Sequence, residues 1–297
     1  MLAVLGGWLV ARGHGFWYDE LYTAEVAPLP LTRLLDAVLT GEGTIPYLAD
    51  APPSYNAPYY AVAHVWLTLT GLGPDEVGLR LLSLVSAVAA VAVFTRAVRR
   101  LAGPRVAVVA GVVLAANPFV VRYAAEARGY ALALLATALA VLGVARWLDS
   151  ASGRDLLLFG VAGAAAGLAH WFAVLVPLAL AVAAVVLRGR RAVPVVALAV
   201  AAASPVLGLV GVAVGNGVGG SGAEWIADVG LAVPWLTLRA WTGGNPVLLV
   251  ATVATAAVAV VTGRRGGSRP AVVAGLWAAL PVAAVTALEM VRPVFVA

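Results

Sequence analysis

The chain has no cysteine, which excludes disulfides, thiol catalysis and Cys-ligated metal. It has no lysine either; all 19 basic residues are Arg, a bias from which little chemistry follows. Charge is scarce, at 11% of the 297 residues against about 25% in a soluble domain. Acids are scarcer still, 14 in all. Methionine occurs twice. What fills the space is hydrocarbon: 63% of residues are hydrophobic and the mean hydropathy is +0.99. The apolar stretches are long Ala/Val/Leu runs without the short alternating segments of a transmembrane barrel. An all-α polytopic membrane protein follows, a single membrane domain over 1–297 with no soluble domain, linker or internal repeat. The net charge of +5 is split among short loops and forms no continuous stripe, which argues against a nucleic-acid partner. The N-terminal apolar stretch lacks an Ala-x-Ala site, so no cleavable signal peptide is expected.

A spanning helix needs about 20 apolar residues. Met1 to Ala11 supplies roughly half of that, so the first span is partial. Further spans are expected at 78–97, 105–121, 130–147, 156–171, 172–187, 192–212, 246–262 and 271–288, nine with the first. Between them, Pro30 to Gly41 carries Leu31, Leu34, Leu35, Val38 and Leu39 on one helical face, an amphipathic helix for the interface plane. Ala57 to Leu72 places Tyr60, His64 and Thr68 on one face and is read as a juxtamembrane helix. Thr44 to Asn56 reads as a loop. Ala223 to Trp241, with Trp225, Trp235 and Trp241, is expected to form a third helix lying on the membrane.

Charge bias sets the orientation. Twelve of the 19 Arg, but only Asp149 and Asp155 among the acids, fall in the loops of one side. The positive-inside rule makes that side cytoplasmic. The other twelve acids then face outward.

Carboxylates beside a span are functional candidates by default. The densest group is Phe16-Trp17-Tyr18-Asp19-Glu20-Leu21-Tyr22-Thr23-Ala24-Glu25, just after the first span. Its acids would equally serve to cap and solvate a short helix at Tyr22 to Val26. A second acidic site, Glu126-Ala127-Arg128-Gly129-Tyr130, follows Asn117-Pro118 where a span re-enters the membrane. Glu126 and Arg128 are there an interface pair or a binding pair; the Arg fork suits phosphate. His170-Trp171 sits at a tight hairpin, as an interface residue or as part of the site. Arg292 is a second candidate phosphate ligand. The Gly-rich run from Asn216 follows no strand and is no nucleotide fingerprint.

In order, the chain shows a first span, Trp17-Tyr18-Asp19-Glu20 with Tyr22, an amphipathic helix, and Ala57-Pro58-Tyr59-Tyr60 through His64-Val65-Trp66. Gly78-Leu79-Arg80-Leu81-Leu82-Ser83, Glu126-Ala127-Arg128-Gly129-Tyr130 and His170-Trp171-Phe172 follow. This order resembles the GT-C glycosyltransferases that use polyprenyl-phosphate sugars. Within them it is most similar to the bacterial mannosyltransferase and Rgt-like branch, related to protein O-mannosyltransferases and the lipid A aminoarabinose transferase. The resemblance implies a GT-C fold of about nine spans in a bacterial plasma membrane. It also implies transfer of a sugar, mannose among the candidates, to an extracytoplasmic acceptor hydroxyl of a lipid, glycan or protein. Asp19 is implied as the catalytic acid residue of the first extracytoplasmic loop, with Glu20 its neighbour in the motif. Glu126, Arg128, Tyr130, His64, His170 and Arg292 are the expected substrate contacts. A divalent metal held by Asp19 and Glu126 is compatible with the chain and not required by it. The chain departs from its relatives at Asn56-Ala57-Pro58, where many have His-Pro-Pro. Relatives also run on past Phe295-Val296-Ala297, so a truncated C-terminus is expected. A transporter or lipid flippase is the competing class; it would hold its charges near the midplane, often on inverted repeats.

Overall fold

A computed structural model describes residues 1–40, 57–215, 229–247, 249–250 and 269–290, and among these the chain is helical without strands. Backbone groups in a bilayer must be satisfied within the segment, which leaves an apolar chain little else to form. The helices are α1 (Leu2–Arg12), α2 (Tyr18–Val26), α3 (Leu31–Thr40), α4 (Ala57–Thr70), α5 (Glu76–Ala102), α6 (Pro104–Ala116) and α7 (Pro118–Tyr123). They continue with α8 (Tyr130–Ser150), α9 (Gly153–Ala169), α10 (Leu175–Arg188), α11 (Val193–Gly215), α12 (Val233–Trp241) and α13 (Arg269–Glu289).

Four helical stretches among the described residues are long and apolar enough to cross a membrane: Glu76–Ala102, Tyr130–Ser150, Trp171–Val212 and Arg269–Glu289. The expected nine are therefore not all present as separate full-length helices. The span expected at 105–121 breaks at Asn117. Its side chain accepts from the Phe119 and Val120 N–H groups at 2.9 and 3.3 Å, and Pro118 opens a new helix. A capping Asn followed by Pro at the first helical position is a strong start signal, and it overrides the continuous hydropathy. Within Trp171–Val212 the spans expected at 172–187 and 192–212 are the separate helices α10 and α11, and the chain reverses direction between them at the 3-10 turn Gly189–Ala192: along α9, Gly163 and Gly167 meet Pro177 and Val174 on the way down and Ala202 and Val206 on the way back. Most of 246–262 lies outside the described residues. The helix expected over 223–241 is shorter: α12 begins at Val233, after a 3-10 turn at Gly230–Ala232, and Trp225 lies outside the described residues.

Helix α8 is the central post, packed against α5 on one side and α9 on the other. Small residues let the backbones close in. A Cβ on Gly143 would stand 2.8 Å from the Phe159 nitrogen of α9, so only glycine fits that crossing. Alanines at 140, 162, 183, 184 and 199 continue this close-packed seam, the usual way helices associate in lipid. Helices α1 and α7 flank the opposite side of α5 and α8 through Leu2, Val10, Leu84, Val120 and Ala131.

The juxtamembrane elements gather at the end of the bundle remote from the Arg-rich loops. Helix α4, 14 residues long, is too short to span and rests on the start of α5 and the end of α9, with Tyr59, Tyr60, Ala63 and Leu67 buried. Trp66 fixes it by donating from Nε1 to the Gly78 carbonyl at 2.8 Å. Helix α3 occupies the stretch expected of it. Leu34 is buried in the cluster with Val26 and Tyr60, while Leu31 and Leu35 stay exposed, as an interface-lying helix requires. Burial of Val26 and Leu34 contributes about 1.5–3 kcal/mol each. The result is a small packed cap on one end of the bundle, and the acidic motif lies within it.

Candidate functional site

Helix α2 begins where the chain leaves α1 through Gly13 and Gly15. Its N-cap, Trp17, is extended, and Asp19 and Glu20 fall in its first turn, where the helix dipole favours negative charge. Glu20 reaches back to accept from the Trp17 N–H at 3.3 Å, and its own N–H donates to the Trp17 carbonyl at 2.9 Å. The expected helix at Tyr22 to Val26 thus starts one turn earlier, and the acids do belong to its first turn.

The two carboxylates then part. Glu20 is fully buried (0% exposed) and held on every side. Arg80 of α5 grips it with a fork, Nε to Oε1 at 2.9 Å and Nη2 to Oε2 at 2.6 Å. The Ala127 N–H donates to Oε1 at 2.7 Å. Arg80 is equally saturated: its other bonds go to Glu76 Oε2 (2.9 Å) and the Gly15 carbonyl (2.8 Å), and it lies over the Phe16 ring. A buried ion pair survives only when its remaining hydrogen-bond capacity is met, and here it is.

Asp19 stays at the rim, its side chain 33% exposed. Arg128, almost wholly buried, meets it twice: Nη1 donates to the Asp19 carbonyl at 2.9 Å, and Nη2 lies 3.3 Å from Oδ2. One turn on, Thr23 Oγ1 donates to the Ala127 carbonyl at 2.8 Å. Both backbone groups of Ala127 are therefore claimed by side chains of α2. The acidic helix is latched onto the turn that carries Glu126 and Arg128, across more than 100 residues of sequence. Gly129 completes the turn, because a Cβ there would stand 2.3 Å from the Ala169 carbonyl oxygen.

Glu126 pairs with Arg122, Nε to Oε1 at 2.8 Å. Its Oε2 is buried and has no hydrogen-bond partner among the described residues. Burial pushes its carboxyl above the ordinary value, with Arg122 opposing. Both residues line a cavity of ≈ 510 Å³ between the end of α1 and α7, together with Leu9, His14, Trp17, Pro118 and Val121. Glu20 and Arg80 form part of its wall.

Tyr130 lies between Tyr123 and His170, ring centroids 4.2 and 5.1 Å away and ring planes tilted by 44° and 39°. His170 is pushed down to about 4 by burial and by the nearby Arg128 charge, so its ring is neutral at physiological pH. His64 lies apart from this group. Its Nδ1 is 2.9 Å from the Ala27 carbonyl, which only accepts, so that nitrogen carries the proton and caps the end of α2. Arg292 lies outside the described residues. Among the described residues no three His, Asp or Glu side chains gather as metal ligands. Asp19 and Glu126, the pair considered for a metal, are each paired with a different arginine.

The profile of the dolichyl-phosphate-mannose-protein mannosyltransferase family matches residues 57–212, more than half of the chain. The chain belongs to that family. It is accordingly a membrane glycosyltransferase of the GT-C type. No curated protein matches it, and no solved structure does.

The mannosyltransferase-family segment contains Arg80, Arg122, Glu126, Arg128, Tyr130 and His170 but not the Asp19-Glu20 motif, which precedes it. The latch through Glu20, Thr23 and Asp19 therefore attaches the motif to the matched region in space. Three residues of this arrangement are assigned no role in the sequence expectations. Arg80 is a lone cation in the first turns of an apolar span, four residues after Glu76, and that spacing is its signal. Arg122 stands at the same spacing before Glu126. Thr23 has no signal at all.

Proposed function

We propose that the protein is an inverting glycosyltransferase that moves a sugar from a polyprenyl-phosphate donor to an acceptor hydroxyl on the extracytoplasmic side of the membrane. The family's name points to mannose as the sugar. The observation that carries the reading is the latch: one rim carboxylate, Asp19, held against a buried arginine on the family segment, on the same helix turn whose Trp17 and Glu20 line a cavity at the edge of the bundle.

In this reading Asp19 takes the proton from the acceptor hydroxyl. The acceptor oxygen attacks the anomeric carbon from the face opposite the phosphate; the carbon–oxygen bond to phosphate breaks and its electron pair leaves with the polyprenyl phosphate. The leaving group is already ionised, so no general acid is needed. Juxtaposing donor and acceptor supplies proximity, and Asp19 supplies proton removal. Arg128 is a positioning residue that aims the Asp19 carboxylate. Arg122, exposed and lining the cavity, is the guanidinium placed to meet the donor phosphate and to stabilise its growing charge. Glu20, saturated by Arg80, Ala127 and Trp17, holds the first turn of α2 in place and is not the base.

Asp19→Asn keeps the size and hydrogen-bond acceptance of the side chain but cannot act as a base at neutral pH. Transfer from a polyprenyl-phosphate sugar is expected to fall about 10²–10⁴-fold, with the melting temperature lowered by a few degrees at most. A variant transferring near the wild-type rate removes Asp19 as the base.

Sidedness is tested without background, because the chain has no cysteine. Thr70→Cys, at the end of α4, is expected to react with an impermeant thiol reagent added outside intact cells. Ser152→Cys, between α8 and α9, is expected not to. The reverse pattern places the acidic cap in the cytoplasm and ends the proposal of an extracytoplasmic acceptor.

A further inference from the structure

The cavity between α1 and α7 has one feature that phosphate binding does not use. Glu126 Oε2 is buried without a hydrogen-bond partner among the described residues, although Oε1 is paired with Arg122. A buried carboxylate oxygen left unsatisfied costs free energy, and such an atom in a binding cleft calls for a donor from a ligand. A phosphate diester has no donor to offer this oxygen. A sugar ring offers several hydroxyls. The lining also includes Trp17, a half-exposed residue whose backbone accepts and donates at the helix cap. An exposed indole face suits the apolar C–H face of a pyranose, because it buries area without needing a hydrogen bond. The other ring nearby, Phe16, is already covered by Arg80. At ≈ 510 Å³ the cavity has room for a hexose together with the phosphate that Arg122 would meet.

We propose that this cavity is a hexopyranose subsite, in which Glu126 Oε2 accepts sugar hydroxyls and Trp17 stacks on the ring. The inference rests on the glycosyltransferase reading above and adds to it the residues that select the sugar. The hexose comes either from the donor lipid or from the acceptor, and the two sources separate by experiment.

Binding to the purified, detergent-solubilised full chain is measured for three probes: polyprenyl phosphate, polyprenyl phosphates carrying mannose, glucose or galactose, and the methyl hexosides. Wild type is compared with Glu126→Gln and Trp17→Leu, and melting curves check folding. If the donor supplies the ring, at least one sugar-bearing lipid binds more tightly than polyprenyl phosphate. Each variant then weakens that lipid about tenfold and leaves polyprenyl phosphate unchanged. If the acceptor supplies it, sugar-bearing and bare lipids bind alike, and the methyl hexosides bind wild type but not the variants. Equal loss of bare and sugar-bearing lipid in both variants makes the cavity a phosphate or tail site and overturns the proposal. Absence of any hexose-dependent binding, with polyprenyl phosphate still bound, also overturns it. Failure of every lipid to bind overturns the glycosyltransferase reading along with it.

Discussion

Two groups of ion pairs, one at each end of the helical bundle, handle charge in opposite ways. At the cap end, Glu20 and Arg80 are buried, with side-chain exposures of 0% and 7%, and are linked by a two-pronged contact. At the Arg-rich end, Asp149 sits between Arg100 and Arg269 at 3.6 and 3.3 Å, with all three side chains more than 40% exposed. The same chemistry carries different weight in the two places. An exposed pair gains little over water. A buried pair is costly to assemble but still costlier to half-dismantle, and it persists where position matters. What Arg80 positions is a junction of three elements: the loop at Gly15, the first turn of α2 and, through Glu20, the Ala127 turn.

The sharpest break of this comparison is Arg80→Met, which leaves Glu20 buried without its counter-charge. Destabilisation of about 3–5 kcal/mol is expected, seen as a large drop in melting temperature, with loss of transfer. Adding Glu20→Gln in the same chain should recover part of the stability, since the orphaned charge is gone. It should not recover activity, because the latch on Ala127 is loosened. A single variant with near wild-type melting would show that the pair is dispensable. The same geometry disqualifies Glu20→Gln as a simple charge control for Asp19→Asn: neighbours in sequence, the two acids differ entirely in burial.

The second test concerns His170, whose ring is held at about 4 against an ordinary 6.5. Between those values the unfolded chain binds a proton that the folded chain does not. Stability from this residue is therefore intact above about pH 6.5 and is lost as pH falls toward 4. His170→Phe keeps an aromatic ring beside Tyr130 and removes the titration. The fall in melting temperature from pH 7 to pH 4.5 should shrink by a few degrees relative to wild type. Equal slopes for the two proteins would show that His170 titrates normally.

Much of the architecture was legible because the bilayer restricts what an apolar chain can do. The amphipathic α3 and the short α4 follow from Leu spacing and from charge bias. Hydropathy misled where a local start signal interrupts it, as Asn117-Pro118 does, since a window average does not register a cap. At the site, the sequence pointed to Asp19, Glu20, Glu126 and Arg128, and these meet in space. It did not distinguish the buried acid from the rim acid, because burial is set by α5, some 60 residues away. The sequence did not reveal that His64 caps α2: a polar side chain on α4 needs a partner, and the sequence does not say which. Arg80 was given no role because its partners, Gly15, Glu20 and Glu76, lie in three different elements, two of them some 60 residues earlier.

The smallest expected effect lies at the Arg-rich end. Asp149→Asn removes a charge that faces two arginines, and simple counting of ion pairs would make it as damaging as a change at Arg80. Burial argues otherwise. Asp149, Arg100 and Arg269 all keep access to water and to lipid headgroups, so each guanidinium loses an interaction that solvent largely replaces. The expected cost is below about 1 kcal/mol, with transfer unchanged. Because such pairs are screened, the difference from wild type should narrow further as salt is raised. The measurement is a melting curve at low and high salt beside that of Arg80→Met. If Asp149→Asn destabilises as much as Arg80→Met, then Asp149 clamps α13 to the bundle through Arg269, and burial is not what separates the two ends.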